Sequence, residues 1–335
     1  MKIHPLIANA YKVLEGAELG RREALELAER ISGSDLLDLI SLSHKVQLKY
    51  APHLEECSIV NAKSGKCGEN CRFCAQSGCH NTAIETYDLL EPAAVIAAAR
   101  QVYRQGIRTF GYVTSGRGYL KPDKEFQRIL TTLDLLRAEF PDLKLCVSLG
   151  ILSDACAKLL SEHHVWRYNM NLQTNPAKYR QLIATTHRIE DKINTIKLMQ
   201  KYGISNCTGG IFGLGETWSD RVDLALAIRE LKVEGAPLNI LLPIPGTPLE
   251  HQAVLSAADA AKTFALFRLI NPGIMLKFCA GRETVMKDFQ GLLMLCGLNA
   301  LMTGGYLTTR GREISADRQL LKQLPGFGGE ETLII

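Results

Sequence analysis

The sequence predicts an α/β chain folded as a (β/α)8 TIM-type barrel, with an N-terminal helical extension and a short C-terminal cap. Three observations carry that expectation. Short apolar runs recur eight times between about residue 57 and residue 302. Amphipathic helical stretches separate them, and alternation of this length implies a parallel sheet that closes at eight units. A doubly wound open sheet, the competing arrangement, calls for a GxGxxG turn after the first strand, and a cysteine-rich loop stands there instead.

The elements follow in order. Residues 5–50 read as helices, because REALELAERI and SDLLDLISLSHKVQLKY place apolar residues at three- and four-residue intervals. Ser34 and Asp35 offer an N-cap to the second of these. Strands are expected near 57–61, 108–113, 143–149, 165–172, 204–213, 237–242, 274–279 and 298–302. Helices are expected at 92–105, 124–139, 188–202, 217–232 and 256–270. Three parts result: a helical extension over 1–50, the barrel over 51–305, and a loop with a final helix packed on the barrel over 306–335.

Composition agrees. A chain of 335 residues, 46% hydrophobic, suits one barrel with extensions and a large core. No apolar run approaches the roughly twenty residues of a membrane span. The opening MKIHPLIANAYKVLEG has neither signal-peptide nor transit-peptide character. The ten cysteines then read as cytoplasmic thiols, and their clustering points to metal rather than disulfides. A formal charge of +4, with both signs interspersed, is too weak for nucleic acid and suits an acidic electron donor.

The chemistry concentrates in KCGENCRFCAQS, where Cys67, Cys71 and Cys74 are spaced to wrap three corners of an iron–sulfur cube. Three ligands leave one iron open, and an open metal position is where a substrate binds. A zinc knuckle completed by Cys79 or His80 is the competing reading. Cys146, Cys207 and Cys279 fall on the third, fifth and seventh predicted strands. Alternate strands of a barrel share interior layers, so these thiols can converge on a second metal centre. Each alone would read as a small buried hydrophobe, the reading kept for Cys57, Cys156 and Cys296. Asn169, Asn171 and Gln173 alternate on one face of a strand, and Asn239 stands in an apolar one. Inward amides are costly without a partner, so they read as pocket lining. GGIFGLGET brings glycine backbone close to a ligand, with Glu216 at the following helix start.

The cysteine loop resembles the CxxxCxxC signature of the radical S-adenosylmethionine (SAM) superfamily, with aromatic Phe73 before the last cysteine. The resemblance implies a 4Fe–4S cluster on Cys67, Cys71 and Cys74, with SAM on the open iron and Phe73 beside the adenine. An electron from the cluster then releases a 5′-deoxyadenosyl radical. VNAKSG before the loop, Gln76 and Ser77 within it, YNMNLQT, the Thr185–Thr186 pair, CTGGIFGLGET, PLNIL followed by GTPL, and AGRE narrow the likeness. Together, in this order and from about residue 45 onward, they resemble the biotin synthase family.

That family resemblance implies radical sulfur insertion into dethiobiotin, with sulfide drawn from an auxiliary cluster inside the barrel. It implies that Asn169, Asn171 and Asn239 meet substrate. It places Asn171, Gln173, Glu216 and His187 or Arg188 around SAM. A flavodoxin or ferredoxin as electron donor and a homodimer are implied as well. The family's usual auxiliary 2Fe–2S site uses three cysteines and an arginine. Cys146 and Cys207 match two of these, but Gly111 and Lys277 stand at the others. A charged lysine does not ligate iron and lacks the guanidinium geometry. Cys279 lies two residues beyond Lys277 on the same face. The expectation is a different auxiliary cluster, 4Fe–5S rather than 2Fe–2S, on Cys146, Cys207 and Cys279, with one iron not held by cysteine. Two readings compete with sulfur insertion: a related radical-SAM maturase or carbon-skeleton mutase, and a non-enzymatic iron–sulfur or zinc protein.

Overall fold

The computed structural model describes residues 2–309 and 311–327. Residues 328–335, the end of the expected cap, lie outside them. Eight parallel strands form the barrel: β1 Glu55–Lys63, β2 Thr109–Thr114, β3 Lys144–Ser148, β4 Arg167–Asn169, β5 Ser205–Cys207, β6 Gly235–Ile240, β7 Met275–Phe278 and β8 Ala300–Met302. Each pairs with the next, and β8 returns to β1, so the sheet closes. The doubly wound alternative is excluded by that closure.

The boundaries follow local chemistry. The helices α1 Pro5–Ala10, α2 Arg21–Arg30 and α3 Asp35–Tyr50 make the N-terminal extension. Ser34 precedes α3, but its backbone is already helical (φ −66°, ψ −28°) and its side chain makes no cap bond. The expected Ser34 cap is therefore not formed. Around the barrel come α4 Pro92–Arg104, α5 Lys124–Glu139, α6 Asp154–Glu162, α7 Ile189–Lys201, α8 Trp218–Glu230 and α9 Ala257–Ile270, then α10 Ile314–Leu321. The Asp123 carboxylate accepts the Phe126 N–H to start α5, and Thr217 and Asp220 cap α8 reciprocally.

The predicted strand over 204–213 is split. β5 ends at Cys207, and Gly210–Phe212 resumes beside β6. Between them Gly209 passes so close to Pro237 that a Cβ would stand 1.9 Å from its carbonyl oxygen. Only glycine fits there. The strand predicted over 165–172 likewise stops at Asn169.

The flanking parts clasp the barrel. α2 packs on α8 and α3 on α9, with Arg21 paired to Asp223 at 2.6 Å and Lys262 Nζ donating to the Ala28 carbonyl. α10 is pinned by Arg282, whose two terminal nitrogens donate to Asp317 at 2.7 and 2.8 Å, both side chains fully buried. The segment after β8 bends over the C-terminal mouth. There the Tyr306 hydroxyl donates to the Cys279 carbonyl, and the Asn61 amide donates to the Leu307 carbonyl. The active-site end of a parallel barrel is thereby roofed.

Candidate active site

The cysteine loop leaves β1 at the barrel mouth and is tied to itself. Cys67 N–H donates to the Gln76 carbonyl, Gly78 N–H to the Cys67 carbonyl, and Cys74 N–H to the Cys71 carbonyl. The Gln76 side-chain carbonyl accepts the Gly65 N–H, and the Ser77 hydroxyl donates to the Glu69 carbonyl. These bonds fix the loop backbone while leaving all three thiols free. His80 Nε2 lies 3.0 Å from the Cys71 carbonyl, and Cys79 is exposed. Among the described residues, no three His, Cys, Asp or Glu side chains gather closely enough to share one metal ion. A cube spreads its ligands over several irons and suits that wider spacing.

Burial pushes the Cys71 thiol up to about 12, opposed chiefly by Lys192. Lys192 is buried on α7, its Nζ donating to the Asn171 carbonyl at 3.0 Å. Burial draws its ammonium down to about 8, opposed by Cys71, Cys74 and Glu69. Three thiolates with this cation beside them are a donor set that fits an anionic cluster.

Below the loop lies a cavity of about 300 Å³. Phe73 and Cys74 stand at its rim, and Asn169, Asn171, Gln173 and Asn239 line it. Asn169 donates to Ser148 Oγ, and the Asn171 side-chain carbonyl accepts the Gly209 N–H at 3.0 Å. Asn239 donates to the Gly210 carbonyl and accepts the Ala280 N–H. Gln173 differs: its backbone is left-handed (φ 72°) and its buried side-chain carbonyl has no partner. A buried acceptor without a partner, on a residue that lines the cavity, calls for a donor from outside the protein's own bonds.

Cys146, Cys207 and Cys279 line the same cavity, and so does Cys57, which periodicity alone had placed in the core. Burial pushes the Cys146 thiol up to about 12 and raises those of Cys207 and Cys279, while Lys277 opposes all three rises. Burial alone would depress the Lys277 ammonium, but the neighbouring sulfurs of Cys57, Cys207 and Cys279 hold it well above its ordinary value. Beneath them Arg167 donates to Glu55 at 3.2 Å and to Ser205. A thiol ring facing two buried cations suits a second anionic cluster.

Three predicted residues stand apart from the cavity. His187 is buried between Tyr179, whose hydroxyl lies 2.6 Å from Nε2, and Glu69, 2.5 Å from Nδ1. The Arg188 side chain is exposed and paired with Glu190. The buried cation beside the cysteine loop is Lys192. Its signal was legible: a lysine on the apolar face of α7, in line with Ile189, Ile196 and Met199. The Glu216 carboxylate accepts the Gly213 and Leu214 N–H groups and pairs with Arg221 at 2.8 Å. It shapes the glycine turn from behind.

Known proteins settle the family. Residues 62–228 match the Radical SAM superfamily, and residues 237–325 match the Biotin and Thiamin Synthesis associated domain. The chain is 52% identical to the biotin synthase of Chlorobium phaeobacteroides (strain BS1) over 98% of each chain. It is 50% identical to that of Chlorobaculum parvum (strain DSM 263 / NCIMB 8327), over 97% of this chain and 99% of the other. The chain belongs to the biotin synthase family. Solved structures share the fold at lower identity. Methylornithine synthase (PylB) superposes with a TM-score of 0.81 at 17% identity, over 94% of this chain and 95% of that one. The FeFe-hydrogenase maturase HydG from Carboxydothermus hydrogenoformans superposes with a TM-score of 0.79 at 16% identity, over 95% and 78%. These two enzymes share the barrel with this chain, while its 50–52% identity over nearly the whole length is to biotin synthases.

Proposed function

We infer that this chain is a radical-SAM sulfurtransferase that inserts sulfur into dethiobiotin to form biotin. One observation carries the reading. Cys74 and Phe73 of the three-cysteine loop share a single cavity with Cys146, Cys207 and Cys279, and neutral amides line the space between. Cys67, Cys71 and Cys74 would hold a 4Fe–4S cluster with one iron left for SAM, and Cys146, Cys207 and Cys279 would hold an auxiliary cluster. When bound, the first supplies an electron that cleaves SAM to a 5′-deoxyadenosyl radical, and the second supplies sulfide.

The chain's own residues position and shield. Phe73 packs beside the adenine, and the Gln173 carbonyl accepts from SAM. The Lys192 ammonium, beside Cys71 and Cys74, would offset the negative charge of the cluster they hold. Asn169, Asn171 and Asn239 present neutral amides, the partners a neutral urea needs. Holding the saturated carbons near the sulfur source makes their capture effectively unimolecular, and the roof at Tyr306 and Leu307 keeps water out. Lys277 in place of a guanidinium, with Cys279 just beyond it, favours a 4Fe–5S auxiliary cluster over 2Fe–2S. Reduction by a flavodoxin or ferredoxin, a homodimeric state and a cytoplasmic location belong to the same reading. For the last, the supporting fact is that no helix among the described residues is long and apolar enough to cross a membrane.

The test is anaerobic reconstitution followed by dithionite, SAM and dethiobiotin. Biotin and 5′-deoxyadenosine are both expected. Cys67→Ala should abolish both, and Cys279→Ala should abolish biotin alone. Deoxyadenosine formed from the wild type with dethiobiotin present, but without biotin, would favour the maturase-like or mutase-like chemistry instead.

A further inference from the structure

Cys57 is a buried cavity thiol with no role in the reading above, and strand register gives it a definite place. Ser58 pairs with Phe110, so Cys57, one residue earlier, falls in the row of Thr109 and Lys144, two residues before Cys146. The row of Cys146 runs through Arg167 to Ser205, two residues before Cys207. The row of Cys207 runs through Gly235 to Met275, two residues before Lys277. The row of Lys277 runs through Ala300 to Glu55, two residues before Cys57. The same step recurs on alternate strands until it closes. Strand tilt in an eight-stranded barrel removes a step of that size, so such residues share one interior layer of four.

Cys57, Cys146, Cys207 and Lys277 are therefore one layer, contributed by β1, β3, β5 and β7. Cys279 stands above Lys277 by one pleat repeat, and extending the Phe278–Leu301 pairing by one residue puts it in the register row of Met302 and Cys57. Of the four layer members, Cys57, Cys207 and Lys277 are at most 5% exposed. We propose that Cys57 is a fourth thiolate ligand of the auxiliary iron–sulfur centre, completing the set of Cys146, Cys207 and Cys279. The proposal rests on the auxiliary-cluster reading above and changes one feature of it. Cys57 would supply the thiolate for the iron that three cysteines leave open, so it would compete with an extra sulfide for that corner.

The test uses the full chain with Cys67, Cys71 and Cys74 changed to Ala, so that only the auxiliary centre assembles. Iron, acid-labile sulfide, the visible spectrum and the reduced EPR signal are measured after anaerobic reconstitution. Cys57→Ala should lower bound iron at least about two-fold, as Cys146→Ser should, because a lost ligand destabilises a bound metal centre. Cys57→Ser, which keeps the volume, should shift the EPR signal even where iron is retained. Cys156→Ser, on α6 away from the cavity, should change nothing, and thermal melts of each variant report folding. If Cys57→Ala and Cys57→Ser both keep the parent's iron, sulfide and spectrum while Cys146→Ser loses them, Cys57 is not a ligand and the three-cysteine centre stands. If the parent itself binds no iron, the auxiliary centre fails and the Cys57 proposal with it.

Discussion

Ile59 fills the space that a side chain at Gly111 would need, since a Cβ there would meet Ile59 Cγ2 at 2.8 Å. The two residues are register partners on β1 and β2. Gly111 stands where the resemblance places a cysteine of the usual site, and with Ile59 opposite there is no room for that side chain. Gly111→Cys should lower stability by about 1–3 kcal/mol through overpacking. Added to Ile59→Ala it should cost far less than alone. Urea denaturation of the two single variants and the double would show the coupling, and additive losses would refute it.

Lys192 should matter through its charge. Lys192→Met leaves the Asn171 carbonyl without its donor and the cysteine loop without its cation. Loss of a charge-assisted bond of about 1.5–3 kcal/mol corresponds to SAM binding weaker by roughly 10- to 100-fold. Lys192→Arg should retain most of the binding. Equilibrium binding of SAM to reconstituted protein measures both, and equal affinity in Lys192→Met and wild type would dismiss the role.

The contact between His187 and Glu69 makes the cysteine loop sensitive to acid. Burial, aided by Lys192, holds the His187 imidazole below its ordinary value of 6.5. Burial would raise the Glu69 carboxyl, but bonds from Thr186 and His187 outweigh it and leave it lowered from 4.5. In both cases the unfolded chain binds protons that the folded chain refuses. Their stabilising contribution is present above the unfolded values and is lost as pH falls through the folded ones. Stability of the metal-free protein should therefore begin to fall below about pH 6.5. His187→Gln should flatten that first part of the slope. Denaturant midpoints across pH check this, and an unchanged slope in His187→Gln would contradict it.

Asp317 should couple the C-terminal helix to the roof of the cavity. Asp317→Asn removes the fully buried one of the two carboxylates on Arg282 and leaves Glu283 at 2.8 Å, so the loss stays below the roughly 3–5 kcal/mol of a wholly uncompensated buried charge. Arg282 also donates to the Met302 carbonyl, where the roofing segment begins. The variant should lose stability and expose the amides of residues 303–309 to hydrogen exchange. Protection of that segment equal to wild type would break the link.

Some of this was legible from the chain. The helix over 124–139 and the helices near 189–201 and 218–230 were visible because amphipathic periodicity and capping residues are local. So was the three-cysteine loop, whose chemistry lies in spacing along one short segment. The split of β5 at Gly209 was not, because it arises from the approach of Pro237 on a different strand. That His187 packs between Tyr179 and Glu69 while Arg188 pairs with Glu190 was not legible for a similar reason. Adjacency to the Thr185–Thr186 pair says nothing about which way the start of α7 turns its side chains.

The sequence by itself determined the fold class, the cluster-binding loop and the family, since alternation, spacing and ordered motifs are properties of a linear text. Only the tertiary structure decided that Cys57 shares a layer with Cys146, Cys207 and Lys277, and that Lys192 is the buried cation at the loop. Those facts depend on barrel closure, strand tilt and register, which bring together residues more than two hundred positions apart, such as Cys57 and Lys277. No local pattern encodes them.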